Sequence, residues 1–185
     1  MKIARIEDLH CDAGWRVWSF LKITTDDGAV GWSEYNESYG ARGLTAVIRG
    51  LAEKLVGQDP RPVERLTAWM HAITRANPGG LAQQAIAALE NALVDLKARA
   101  LGVPVAALLG GPVRERLRLY WSHAGSYRLQ HHALIGTPPL RDLEGCRDLA
   151  AEIRARGFTA MKTNIFLFDR EPPEMWQPGF AHQPG

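Results

Sequence analysis

The stretch GFTAMKTNIF, residues 157 to 166, sets an ammonium group and a carboxamide two positions apart inside an apolar run. Successive side chains of a strand point to opposite faces, so Lys162 and Asn164 share one face with Ala160, and Met161, Thr163 and Ile165 share the other. A cation and an amide aimed the same way suit recognition of an anion or a hydroxyl. Lys162 can hold positive charge against developing negative charge. Asn164 can donate hydrogen bonds but takes up no proton near neutral pH, so it is no general base. The same pair also suits a structural role, with the ammonium snorkelling out of a sheet end and the amide satisfying local backbone. The apolar neighbours predict a buried strand.

Other candidates are sparser. His123, in YWSHAG, follows a second predicted strand and could hydrogen-bond a substrate or shuttle a proton; a structural histidine fits as well. His131 and His132 are adjacent and diverge on a helix or a strand, so they make a poor metal pair. Asn91 and Asp95 share a helix face and read as structural, binding backbone or capping groups. Cys11 and Cys146 are isolated and lack CxxC spacing, which predicts free thiols. No P-loop, GxSxG or GxGxxG motif occurs.

Composition narrows the class. The 185 residues are 46% hydrophobic, enough for a core, and the net charge of +2 comes from interspersed charges without a basic stripe. Nucleic acid is therefore not an expected partner. No apolar run approaches the roughly 20 residues that span a membrane, and MKIARIEDLH lacks the continuous apolar core of a signal peptide. A cytoplasmic location with no membrane partner is expected.

The elements that would position Lys162 are legible in outline. KIARIEDLH, RVWSFLKITT and AVGWSEYN, with DDG as a turn, predict an antiparallel meander. LTAVIRGLAEKLVG predicts a helix closed by Gly57, and DPRPVERLTAWMHAITR a second helix capped by Asp59. Residues 79 to 102 predict a third helix with a broad stripe of small apolar side chains, followed by a short helical turn and a Gly-Gly-Pro boundary. Beyond it, RLRLYWSHAG reads as a strand, LRDLEGCRDLAAEIRARG as an amphipathic helix and FTAMKTNIF as a strand, which makes a parallel pair with a crossover helix. SYRLQHHALIGTPP reads as a long loop, and the Pro-rich tail as irregular.

The GQDP segment, the block ALVDLKARALGVPVAALLGG, RLRLYW and AMKTN together resemble the enolase superfamily, in its mandelate racemase and muconate lactonizing branch, over residues 1 to 166. The resemblance implies an α+β capping domain (1–112) followed by the start of a TIM-type (β/α) barrel (113–185), truncated, because a whole barrel takes about 250 residues. It implies Lys162 and Asn164 as catalytic residues, with Asn164 standing where the family usually has a second lysine. It places Asn36 and Tyr39 in a cap loop that closes over the barrel mouth and reads the substrate's far end, where an ordinary turn after a strand fits as well. Trp15 and Arg16, in the first hairpin-like connection, are a second lid candidate, with a plain surface loop as the structural alternative, and His123, just past the first barrel strand, faces the implied site as a substrate contact. Mg²⁺ is the implied cofactor of a full-length member. Its carboxylate ligands belong to later barrel strands, and Asp169, Glu171 and Glu174 match none of them.

Losing the second lysine turns the expectation toward a Mg²⁺-dependent acid-sugar dehydratase resembling galactonate dehydratases, acting on a small sugar acid or other α-hydroxy carboxylate. A racemase or epimerase of the same superfamily is the first alternative. A non-catalytic remnant or association module is the second. Family caps pack against neighbouring subunits, which implies a homo-oligomer. If the chain ends at residue 185, two parallel strands with exposed edges predict aggregation or a complementary fragment.

Overall fold

The computed structural model describes residues 1–38 and 41–176. The chain divides into two compact units, Met1–Val113 and a second that begins at Arg114.

The first unit opens with three antiparallel strands, β1 (Ile3–Asp12), β2 (Val17–Thr25) and β3 (Val30–Tyr35), in the order β1-β2-β3. Alternation along β2 buries Ser19, Leu21, Ile23 and Thr25 and leaves Trp18, Phe20 and Lys22 on the partly open face. Four helices follow: α1 (Leu44–Leu55), α2 (Val63–Ile73), α3 (Gly80–Leu101) and the short α4 (Val105–Leu108). The small side chains Ala85, Ala88 and Ala92 of α3 are buried, which lets the sheet approach the helix backbone. At Gly31 of β3 an added Cβ would stand 2.2 Å from the Ala92 carbonyl oxygen and 2.6 Å from Leu96 Cβ, so only glycine fits the crossing. Polar bonds fix the same contact: the Trp32 amide and the Arg99 guanidinium donate to Asp95, each at 2.8 Å, and the Ser33 hydroxyl donates to the Ala88 carbonyl at 2.7 Å.

Arg49 of α1 forks onto both oxygens of Asp8 at 2.8 Å, and His10 Nε2 lies 3.0 Å from one of them. The Arg49 guanidinium, aided by His10, holds the Asp8 carboxyl down at about 2.

Asp59 does not cap a helix. Its carboxylate binds the Arg61 amide at 3.0 Å and the Arg61 guanidinium, and α2 starts only at Val63. Pro62 disfavours helical backbone at Arg61, so the helix cannot begin before it.

The second unit contains β4 (Trp121–Ala124), α5 (Ser126–Gln130), α6 (His132–Ile135), α7 (Leu143–Ala155), β5 (Met161–Thr163), and two short strands, β6 (Phe166–Leu167) and β7 (Glu174–Met175). β4 and β5 pair in parallel with α7 between them in sequence, as predicted. Asp142 caps α7 by accepting from the Gly145 amide at 2.8 Å. The core is small: Ala124, Leu149 and Ile153, with Trp121 and Phe158 against them.

Four sequence expectations need correction here. The strand read over residues 116–125 is limited to Trp121–Ala124, and Leu117 and Leu119 are exposed, because a ladder extends only as far as its partner and β5 offers three residues. Arg118 bridges the gap with its side chain, donating to the Thr159 hydroxyl and carbonyl at 2.9 and 2.8 Å. The loop at 126–139 contains the helical turns α5 and α6, and the irregular tail contributes β7, which pairs with β6 just ahead of it. Fourth, β5 is exposed rather than buried: β4 is its only paired strand among the described residues, and Met161 is 51% accessible.

Candidate functional site

Within the second unit, β5 turns its alternating side chains to different tasks. Thr163 donates its hydroxyl to the Ala124 carbonyl at 2.8 Å, locking β5 to β4. Lys162 is exposed and makes no hydrogen bond or ion pair among the described residues, so its charge is available to an anion. Asn164 is half-buried, and its Nδ2 donates to Ser126 Oγ at 2.8 Å and to Met175 Sδ at 3.0 Å. With both amide hydrogens engaged, Asn164 presents an acceptor oxygen, which corrects the sequence-level picture of a free donor.

Ser126 and Met175 were invisible to pattern reading, because neither residue type nor spacing marks them. The glycine before Ser126 carried the only signal. Gly125 has φ 84°, and a Cβ there would meet Leu140 Cδ2 at 2.7 Å and the Phe166 ring at 3.0 Å, so the turn that buries Ser126 demands glycine.

His123 is exposed with φ 55°, its Nδ1 2.8 Å from Ser122 Oγ and its ring 5.5 Å from Tyr127. It lines a cavity with Trp121, Tyr127, Arg128 and Arg156, and neither Lys162 nor Asn164 lines that cavity.

In the first unit, Trp15 and Arg16 lie in the β1–β2 connection. The Arg16 guanidinium sits 3.4 Å over the Trp18 ring and 5.1 Å from that of Trp15, and lies 3.6 Å from Glu34. That stack leaves the Arg16 side chain 16% accessible. Asn36 shapes its own turn, accepting from the Ser38 amide at 2.9 Å. Tyr39 lies outside the described residues. Sequence reasoning missed Glu37, whose carboxylate accepts from the Gly43 amide at 2.7 Å and from the Thr45 hydroxyl at the start of α1. The Thr45 bond, with the amides of Gly43 and Thr45, lowers the Glu37 carboxyl below its usual range.

For the implied Mg²⁺, the described residues contain no group of three or more His, Cys, Asp or Glu that could hold a metal ion. They do not fit that site. Nor is any helix among them long and apolar enough to cross a membrane.

A meander-and-helix unit followed by a parallel strand–helix–strand is the amino-terminal architecture of proteins that place a capping domain before a (β/α) barrel. Residues 15–110 match the family model for the mandelate racemase / muconate lactonizing enzyme N-terminal domain. The chain belongs to that family, within the enolase superfamily. It is 45% identical over 103 residues to a D-galactonate dehydratase of Ralstonia nicotianae, a match covering 56% of this chain and 27% of the relative. It is 41% identical over 156 residues to a D-galactonate dehydratase of Variovorax paradoxus, covering 81% of this chain and 40% of the relative. A candidate L-alanine-DL-glutamate epimerase from Burkholderia xenovorans LB400 superposes with TM-score 0.92 at 46% identity, over 98% of this chain and 46% of that one; it is also known bound to magnesium and fumarate. The chain thus spans less than half the length of these relatives.

Proposed function

We propose that the chain carries the carboxylate-binding part of an acid-sugar dehydratase. Lys162 meets the carboxylate of a polyol acid such as D-galactonate, and Asn164 accepts a hydrogen bond from one of its hydroxyls. The observation that carries this reading is an unpaired ammonium at Lys162 two residues from an amide oriented by Ser126. The relatives named D-galactonate dehydratase support the substrate class.

In such a reaction the proton next to the carboxylate leaves first, giving an enediolate. The neighbouring hydroxyl then departs as water, and the enol becomes a 2-oxo-3-deoxy acid. A fixed cation beside the carboxylate stabilises the charge that develops on it. Where a family member holds magnesium, as solved neighbours do, the metal would add to the stabilisation of that charge. The described residues hold no set for it, so this chain's own part is binding and orientation. Trp15, Arg16, Asn36, Tyr39 and His123 as substrate contacts, the division into a cap (1–112) and a barrel start (113–185), and homo-oligomerisation belong to the same proposal.

Titrating the chain with D-galactonate should give saturable binding that Lys162→Ala weakens about tenfold or more, as expected for losing a charge-assisted contact. Equal binding by the variant overturns the reading. The Burkholderia neighbour favours a second reading, an epimerase. Proton NMR in D₂O separates the two: dehydration yields the 2-oxo acid, whereas epimerisation exchanges the α-hydrogen for deuterium and retains the hydroxyl. A chain that binds no D-galactonate and self-associates on a sizing column fits the association module.

A further inference from the structure

We propose that the second unit holds a small-anion site that includes neither Lys162 nor Asn164 and shares only His123 with the substrate contacts proposed above, in a cavity of about 310 Å³ lined by Trp121, His123, Tyr127, Arg128, Thr137 and Arg156, and that its ligand class is a small aromatic carboxylate. The volume lies at the lower end of the range of about 300–1,000 Å³ typical of ligand pockets. Charge decides the sign of the ligand. Arg128 and Arg156 share one carboxylate, that of Glu152, at 2.7 and 2.8 Å. Two guanidinium groups against one carboxylate leave net positive charge, and no aspartate or glutamate lines the cavity wall. A neighbouring cavity of about 420 Å³, on the same arginine pair, is lined by both Asp148 and Glu152 and is balanced. The anion therefore belongs in the smaller cavity.

The donors are pre-set. Arg128 is only 15% accessible and is pinned by Glu152, so its remaining N–H groups keep a fixed direction in a partly dry setting. The Thr137 side chain lines the same wall, although its hydroxyl is itself buried and adds no open donor. The walls are planar: Arg156 lies 5.3 Å from the Trp121 ring centre, and the His123 and Tyr127 rings lie 5.5 Å apart. His123 takes up its place with φ 55°, a sparsely populated backbone position for a non-glycine residue. Flat aromatic and guanidinium surfaces favour a flat ligand with delocalised electrons over a compact one.

The test is calorimetric titration of the whole chain with benzoate and with acetate, alongside tryptophan fluorescence. Benzoate should bind saturably and acetate about tenfold more weakly or worse. Arg128→Met should weaken benzoate about tenfold, and Arg128→Lys, which keeps the charge but loses the fork, should fall between it and the wild type. Lys162→Met should leave benzoate affinity unchanged to within about twofold. The fluorescence response should disappear in Trp121→Phe although five other tryptophans remain. If Arg128→Met does not fold by circular dichroism, Arg156→Met carries the test and should weaken binding about tenfold. Absence of saturable benzoate binding overturns the proposal. So does equal affinity for acetate, or loss of binding in Lys162→Met with retention in Arg128→Lys and Arg156→Met.

Discussion

The two units solve the problem of holding a sheet in different ways. In the first, a three-stranded sheet lies against α3 with a continuous apolar cluster running from Ile3 through Leu55 and Met70 to Leu96. In the second, two short parallel strands rest on three buried side chains and are trimmed with polar links such as Arg118 to Thr159 and Asn164 to Ser126. Burial sets stability, so the first unit should be the firm one. The candidate chemistry sits on the second. An exposed lysine costs little where few apolar contacts surround it.

Substitutions can break that contrast or refine it. The largest effect should come from Leu89→Ala, at a site with 0% accessibility, which should cost about 2–5 kcal/mol and abolish slow hydrogen exchange in the first unit. Gly31→Ala follows, at about 1–3 kcal/mol, because the new methyl meets backbone that cannot rotate away; wild-type urea midpoints would refute the close crossing. In the second unit, Asp142→Ala should cost about 1 kcal/mol and raise exchange only around α7.

Acid should act on the first unit through Asp8. Folding favours its ionised form, since its folded pKa of about 2 lies below the ordinary aspartate value of 3.8. The Arg49 contact therefore stabilises fully above about pH 4 and loses its effect as pH falls to about 2. Arg49→Met should flatten that part of the pH–stability curve, measured as denaturation midpoints at pH 5, 3 and 2. Smallest of all, Lys162→Ala should change stability by less than about 0.5 kcal/mol, leaving any loss of acid binding as a direct effect on the site.

The same contrast explains what the sequence made legible. The meander and the three long helices announce themselves because a buried face imposes a period, and Gly57 and Asp95 do the jobs their positions suggest. Asp59 misleads because the local rule for a cap ignores Pro62. In the second unit β5 looks buried by composition, yet burial depends on what else covers a strand, and no pattern within ten residues reports that. Lys162 and Asn164 could be singled out from alternation alone. The use of both Asn164 hydrogens could not, since Ser126 and Met175 reach it from 38 and 11 positions away. Glu37 escaped for a similar reason: it serves α1 from six residues before the helix cap.

The bare backbone at Gly31 has one more implication. Where a strand touches a helix without any side chain between them, the gap is set by main-chain atoms alone and acts as a fixed gauge. Redesign of the surrounding apolar residues can alter how well the layers are filled, but their separation stays the same until position 31 itself is changed.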